Sequence, residues 1–359
     1  MSFFNKKIFD YESDIIGLDL SDFYARVVKI EDFGSYKNIV SYATCPIPAG
    51  CIINGEIQKK DQVISVIRKA VSVAGPKKIR TNKVACSLPE SKAFLRIISL
   101  PHMSDSEIEE AIKWEMEANI PLPLDQVFYD WQIISKSVLS EKNRINIIVA
   151  AVPKLVVNQV IEILELAGLE PIKLEIESIA QARSLLNDKD EESTAMIIDI
   201  GAHRTSFSIV MKGLPCFTSS IPICGRTLTD AIAKDFKITF EEAEKIKISY
   251  GIGYDKKEAV KDESIFKVQE PVLKNLVQEI ERSINFYLTE LKYSKSIDNI
   301  ILCGGGANTK GILNYLSEKL GRKIELGNPW INIKLDKNTK VIQEDQSLRY
   351  STAIGLVLK

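Results

Sequence analysis

The chain has 359 residues, 45% of them hydrophobic and 26% charged, with 47 basic and 48 acidic side chains. That length allows two or more domains with sizeable cores, and a net charge of −1 removes any overall electrostatic case for nucleic acid or another polyanion. Six cysteines without a C-x-x-C pair, and only two histidines, make no zinc pattern. Most of the cysteines lie in apolar, strand-like contexts that read as buried reduced thiols, as in a cytosolic protein. No apolar run reaches bilayer length, and MSFFNKKIF, basic and aromatic, reads as a tail rather than a signal peptide or anchor.

In chain order, IIGLDL (15–20) is an apolar run ending near Asp19, the Ser21-Asp22-Phe23 turn follows, and ARVVKI alternates at strand period. A third strand is expected over 38–45. A helix follows, with Asp61 as N-cap, Val63, Ile67, Ala70, Val71 and Ala74 on one face, and Gly75-Pro76 as its stop. Further strands are expected at 83–89 and 93–100. Ser104 and Glu107 form a capping box for a helix that buries Ile108, Ile112, Met116 and Ile120. Its glutamates 107, 109, 110, 115 and 117 read as a solvated face whose first turn complements the helix dipole. Strands at 127–134 and 145–152 and a helix opened by Pro153 complete a β-α-β-β-α unit over residues 92–168, compact enough to be an inserted subdomain. A strand at 172–176, a short helix at 178–186 and the polar linker 187–193 close the first half.

The pattern then restarts. A strand (195–200) ends at Asp199, two more follow at 206–211 and 214–221, and a helix begins near Thr227. Asp199 follows Asp19 by half the chain length, so the recurrence of strand, aspartate turn, strand, strand, helix implies a pseudo-twofold protein with a cleft. In MIIDIGAHRTSFSIV the carboxylate, glycine turn and hydroxyl suit a Mg²⁺-phosphate cradle, although strand-Asp-x-Gly turns are also common as plain structure. Glu244 and Lys247, three residues apart on the next helix, share a face and suit either an ion pair or a ligand. Residues 252–268 read as loop or short strand, 271–293 as a long helix. In DNIILCGGGAN, Gly304, Gly305 and Gly306 permit close approach of a ligand or simply a tight strand-to-helix turn; no G-x-G-x-x-G or Walker A pattern is present. A final helix is expected over 348–358.

With these loops in this order, the sequence resembles the actin/Hsp70/FtsA superfamily and, within it, the PilM family of type IV pilus assembly proteins. The resemblance runs nearly end to end and is densest in residues 88–131 (LPESKAFLRIISLPHMSDSEIEEAIKWEMEANIPLPLDQVFYDW) and 150–178 (AAVPKLVVNQVIEILELAGLEPIKLEIES). It implies an α/β, actin-like (ribonuclease H-like, duplicated) fold with a nucleotide cleft and an FtsA-type IC insertion. The implied parts are IA at 1–91, IC at 92–170, the IA return and linker at 171–192, and IIA at 193–235. IIB then spans 236–269, IIA continues at 270–330, and C-terminal strands and a helix at 331–359 close on IA. Asp19, Ser21 and Asp22 match the first phosphate loop, and Asp199, Gly201 and Thr205 the second. Glu244 and Lys247 match the A-E-x-I-K pattern at ribose and adenine, Gly304 to Gly306 the adenosine loop, and Gly225 the turn into its helix.

The resemblance further implies ATP or ADP with Mg²⁺ held mostly through water by Asp19 and Asp199, whereas the departure from the family loop at Ser21 and Asp22 leads one to expect little or no ATP hydrolysis. It implies docking of the N-terminal cytoplasmic peptide of a PilN-like inner-membrane protein between IA and IC, recruitment from the cytoplasm to the inner membrane through that partner, other pilus components as partners, and scope for homo-oligomers. Ser21 departs from the usual glycine, and Asp22 adds a charge that is expected to disfavour a triphosphate. Two other readings are an FtsA-like division protein, which is expected to carry an amphipathic membrane-targeting helix beyond the core helix that ends this chain, and a sugar kinase, for which no base aspartate or sugar pocket is legible.

Overall fold

The computed structural model describes residues 14–32, 37–101, 103–120, 122–135, 144–187, 193–255, 259–260, 262–289, 296–333 and 342–358. The first half opens with β1 (Ile16–Leu20), β2 (Tyr24–Asp32) and β3 (Lys37–Pro46), then α1 (Lys60–Val73) and β4 (Lys83–Leu88). Lys59, not Asp61, is the N-cap of α1, so Asp61 lies in the first turn, where a carboxylate favours the dipole. An insertion follows: β5 (Phe94–Pro101), α2 (Asp105–Asn119), β6 (Val127–Ser135) and β7 (Arg144–Pro153). The chain returns through α3 (Lys154–Leu166), β8 (Glu170–Ile176) and α4 (Glu177–Leu185).

The second half repeats the opening as β9 (Thr194–Ile200), β10 (Thr205–Met211), β11 (Leu214–Ile221) and α5 (Gly225–Phe236), followed by α6 (Phe240–Tyr250), α7 (Glu263–Thr289), β12 (Asn299–Cys303), α8 (Ile312–Leu320) and β13 (Ile324–Leu326). α9 (Ser351–Val357) is the last element.

The repeat holds strand for strand. β8, β4, β1, β2, β3 lie in that order in one sheet, and β13, β12, β9, β10, β11 in the other. In each, the first three strands are parallel and the next two antiparallel. Their apolar runs, buried on both faces, are what parallel strands covered by helices require. The insertion strands β5, β7 and β6 extend the second sheet through pairing of Phe217 with Arg96, so the insertion bridges the two halves. Its own core joins Ile98 and Leu100 to Ile108, Ile112, Met116 and Ile120 of α2 and to Val127, Ile145, Ile147 and Val149. The Ser104–Glu107 capping box forms as expected, with the Ser104 N–H donating to the Glu107 carboxylate at 2.8 Å.

Three expectations need correction. The helix grouped with the insertion, α3, packs its Val156, Val160 and Ile163 face into the first-half core with α1. α5 starts at Gly225 rather than Thr227, because Cys224 caps it and Thr227 closes back on the Cys224 N–H at 2.9 Å. α7 begins at Glu263 and passes through Pro271, carried by buried Ile265, Gln269 and Leu273 on the core side; residues 290–293, also expected in that helix, lie outside the described residues.

Two helices tie the halves together. α4 leads from the first half into the second, and α9 returns, packing Ala353, Ile354 and Leu358 against Val28, Ile30 and Ile39. They cross at Gly355, where a Cβ would lie 1.8 Å from the Ala180 carbonyl oxygen, so only glycine fits. All six cysteines are buried free thiols. No helix of the described residues is long and apolar enough to cross a membrane.

Candidate functional site

β1 ends at the centre of the first sheet, and Asp19 sits at its buried tip. Arg26, its register partner on β2, donates to the Asp19 carboxylate at 3.0 Å, and Ser87 of β4 donates to the other oxygen at 3.3 Å. The Leu20 N–H donates to the Ser87 hydroxyl at 3.0 Å, which fixes that serine. Burial raises the pKa of Asp19, while Arg26 and Ser87 oppose the rise. Ser21 closes the turn by donating to the Tyr24 carbonyl at 3.1 Å. Asp22, expected to add charge beside the phosphates, accepts the N–H groups of Asn54 and Gly55, both at 2.9 Å, and its charge also acts on His203 of the opposite loop.

Asp199 occupies the same position on β9, with Ser206 where the first half has Arg26. Its counter-group is thus an amide, Gln181 of α4, which also donates to Thr352 of α9 at 3.2 Å. Burial pushes the Asp199 carboxyl up to about 6, Gln181 opposing the shift and Asp19 adding to it. Gly304 has φ +79°, and a Cβ there would lie 2.0 Å from the Asp199 carboxylate. Gly306 packs as closely on Ile200, and Gly305 faces Arg349. The three glycines therefore bring the β12 turn against the end of β9.

The 201–204 loop is clamped by the next helix. Gly225 and Arg226 at the start of α5 donate to the carbonyls of Gly201 and Ala202 at 3.0 and 3.1 Å, and the Gly201 N–H donates to the Arg204 carbonyl at 2.9 Å. Thr205, expected to hold phosphate, is fully buried beneath this loop. It lines a cavity of about 10 Å³ with Leu228, Leu273 and Ile312, and its hydroxyl has no hydrogen-bond partner. Glu244 and Lys247 do meet, at 2.8 Å. Lys247 is buried where a helix of this pattern normally places an aliphatic residue, and it donates to the Gly225 carbonyl at 2.8 Å and the Thr229 hydroxyl at 2.7 Å. Tyr250, the last residue of α6, is exposed.

Two acidic residues join the site that the sequence reading missed. Glu177 is the first residue of α4, and Glu90 opens the short turn before β5. They bond reciprocally: Glu90 accepts the Ser178 N–H at 3.1 Å, and Glu177 accepts the Glu90 N–H at 3.4 Å. Burial pushes Glu177 well above the usual carboxylate range, and Asp19, Glu90 and Asp199 push it further. Carboxyls from both repeats therefore share one field. The only sequence cue was an acidic residue at a strand-to-helix junction in KLEIES. Among the described residues, no three His, Cys, Asp or Glu side chains are close enough to grip a metal directly.

The two loops also touch. Phe23 stacks on His203 with ring centroids 3.5 Å apart and planes 7° from parallel, and Arg204 donates to the Asn54 side chain at 3.3 Å. Burial and Arg226 keep His203 below its ordinary pKa, so it is neutral at pH 7 and stacks without a charge to desolvate.

A family model described as "Type IV pilus assembly protein PilM" matches residues 17–359. Among curated proteins, the cell division protein FtsA of Neisseria meningitidis serogroup B is 25% identical over 380 residues, covering 96% of this chain and 88% of that protein. Among solved structures, one described as "PilM-PilN type IV pilus biogenesis complex" matches with a TM-score of 0.78 at 26% identity, covering 96% of this chain and 97% of the other. MreB 5 of Spiroplasma citri bound to AMPPNP gives 0.55 at 15% identity over 96% of this chain and 95% of its own. The ethanolamine utilization protein EutJ of Carboxydothermus hydrogenoformans gives 0.54 at 18%, over 96% and 88%. These last two share the fold alone, and with the strand-for-strand repeat they make the fold actin-like, as the sequence led one to expect.

Proposed function

The chain belongs to the type IV pilus assembly protein PilM family, and from that premise we propose that it is an actin-like, nucleotide-binding adaptor of a type IV pilus or a related competence or secretion machine. ATP or ADP occupies the cleft between the repeats. The observation that carries this reading is the shared field of Asp19, Glu177 and Asp199, buried carboxyls drawn from both repeats, with Arg26 bonded to the first of them.

Mg²⁺ fits this donor set. Burial and mutual repulsion raise the pKa of Asp199 and Glu177, and a cation relieves both. With no three ligands converging directly among the described residues, Asp199 and Asp19 would hold the ion through water, as Mg²⁺ prefers. When bound, it neutralises phosphate charge. Arg26 and the turn amides at 20–24 and 201–204 orient the phosphates, with Ser21, Gly201 and Gly225 shaping the turns. Gly304 to Gly306 receive adenosine, with Glu244 and Lys247 at its ribose side. Thr205 acts from below, as a support of the loop.

The partner is the N-terminal cytoplasmic peptide of a PilN-like protein, and the solved PilM-PilN complex supports this choice. Its docking place is the junction of the first half with the insertion. Through this peptide the chain reaches the inner membrane.

Calorimetry with ATP and Mg²⁺, followed by pull-down with the PilN-like peptide in each nucleotide state, tests both parts. Saturable Mg²⁺-dependent binding that Asp199→Ala weakens at least tenfold is expected. Equal affinity in that variant would remove the site, and no peptide capture in any state would remove the adaptor role.

A further inference from the structure

Helix α2 covers its own sheet with a complete apolar row. Ile108, Ile112, Met116 and Ile120 recur every fourth residue and are all buried. Trp114 stands two positions from both Ile112 and Met116, about 200° around the helix, and is 73% exposed. The core does not need it, and Trp is a weaker helix former than the Ala, Glu or Lys that would serve at an exposed site. Large exposed aromatics of this kind are the usual anchors of protein interfaces.

The neighbours of Trp114 on that face give the occupant's chemistry. Residues three or four apart share a helix face, so Glu110 and Ala111 precede Trp114, and Glu117 and Ala118 follow. Glu107 continues the row by one turn. Glu107, Glu110, Glu117 and Ala118 are exposed, and Ala111 is half-buried. The helix carries six acidic side chains against one lysine. The result is a flat strip, floored by alanines, with carboxylates on either side of an indole. A bilayer with anionic headgroups is repelled by it, and two copies of the strip repel each other. A lysine- or arginine-bearing segment suits it: cations pair with the glutamates and lie over the indole, while aliphatic stems cover the alanines.

We propose that this outer face of α2 is a docking surface for a basic, amphipathic segment of a partner protein. It is distinct from the proposed docking place of the PilN-like peptide. Indole contact supplies the anchor, and the carboxylates set sign and orientation.

The test is a fluorescence titration of the full chain with a synthetic 18-residue amphipathic peptide bearing Lys and Arg on one face and Leu on the other. Its partner probe carries Glu at every Lys and Arg position. Saturable binding of the basic peptide alone is expected, weakening as salt screens the glutamates. Trp114→Ala is expected to lower affinity at least tenfold, as is the pair Glu110→Lys and Glu117→Lys, whereas Glu109→Lys, off the strip, has little effect. Unchanged unfolding midpoints confirm that these exposed substitutions leave the fold intact. Equal binding by wild type and Trp114→Ala would overturn the proposal, as would equal binding of both peptides. Trp114-dependent self-association by sedimentation, or Trp114-dependent binding to phosphatidylglycerol vesicles, without peptide binding would assign the face to a second copy or to lipid instead and equally overturn it.

Discussion

Asp199→Asn should make this protein more stable, and the gain should depend on pH. The Asp199 carboxyl is displaced from 3.8 to about 6, chiefly by burial. A carboxyl whose folded pKa is raised binds an extra proton in the folded state, so its ionisation opposes folding as pH rises. The penalty begins above the unfolded value, near 4, and is complete once pH passes the folded value, near 6. Its full size is about 3 kcal/mol, and at pH 5 roughly half of that is present. Asparagine has the same shape, leaves an oxygen for the Gln181 donor, and carries no charge to desolvate. Urea unfolding of both proteins at pH 5, 6, 7 and 8 should show a stability difference in favour of the variant. It grows by about 1.3 kcal/mol from pH 5 to 7 and then levels off. Saturating Mg-ATP should narrow the difference at pH 7 by at least about 1.4 kcal/mol, because the wild type gains more from ligand linkage than a variant that binds tenfold more weakly. A variant less stable at every pH, or a difference that does not vary with pH, would refute the account of Asp199 as a desolvated charge.

Lys247→Met keeps the length of the side chain but strips donors from the Gly225 carbonyl, Thr229 and Glu244. A loss of about 2 kcal/mol in urea unfolding is expected, less than for a wholly buried pair because Glu244 is 35% exposed. Phe23→Ala removes the stack on His203 and should cost no more than about 1.5 kcal/mol. The same variant should release a fluorescent ATP analogue several-fold faster in stopped flow, since the loops facing the cleft no longer hold each other.

Much of the architecture was legible because it is written in local patterns. The duplicated strand-turn-strand units, the Ser104–Glu107 box and the apolar row of α2 each follow from neighbours within a few residues. What the sequence concealed was decided by distant partners. The apolar face of α3 suits either of two cores, and only its contact with α1 chooses. Pro271 reads as a helix start until the residues before it are seen to be buried. Asp22 gives no hint on paper that Asn54 and Gly55, more than thirty residues on, donate to both its oxygens. Glu177 and Glu90 are ordinary glutamates on paper, and they matter only because two sheets bring them to Asp19 and Asp199.

The two repeats have diverged in charge, and this bears on how the proposed cleft works. At Asp19 both oxygens are engaged, one by a guanidinium and one by a hydroxyl. At Asp199 the bonded partner is a neutral amide, and the neighbouring Glu177 accepts only a backbone N–H. Among the described residues, the carboxyls without a bonded cation, Asp199 and Glu177, therefore lie on the second repeat and on α4, and burial holds both above the usual carboxylate range. A cation and phosphates entering the cleft would change the field most at Gln181 and Glu177, both on α4. That helix crosses α9 at Gly355 and is bonded at its first turn to Glu90, a few residues before the insertion begins. In the proposed reading, occupancy of the cleft thus acts on the element that joins the repeats and borders the insertion, the part of the molecule on which the α2 strip stands. An equivalent charge beside Asp19 would meet Arg26 and stop there.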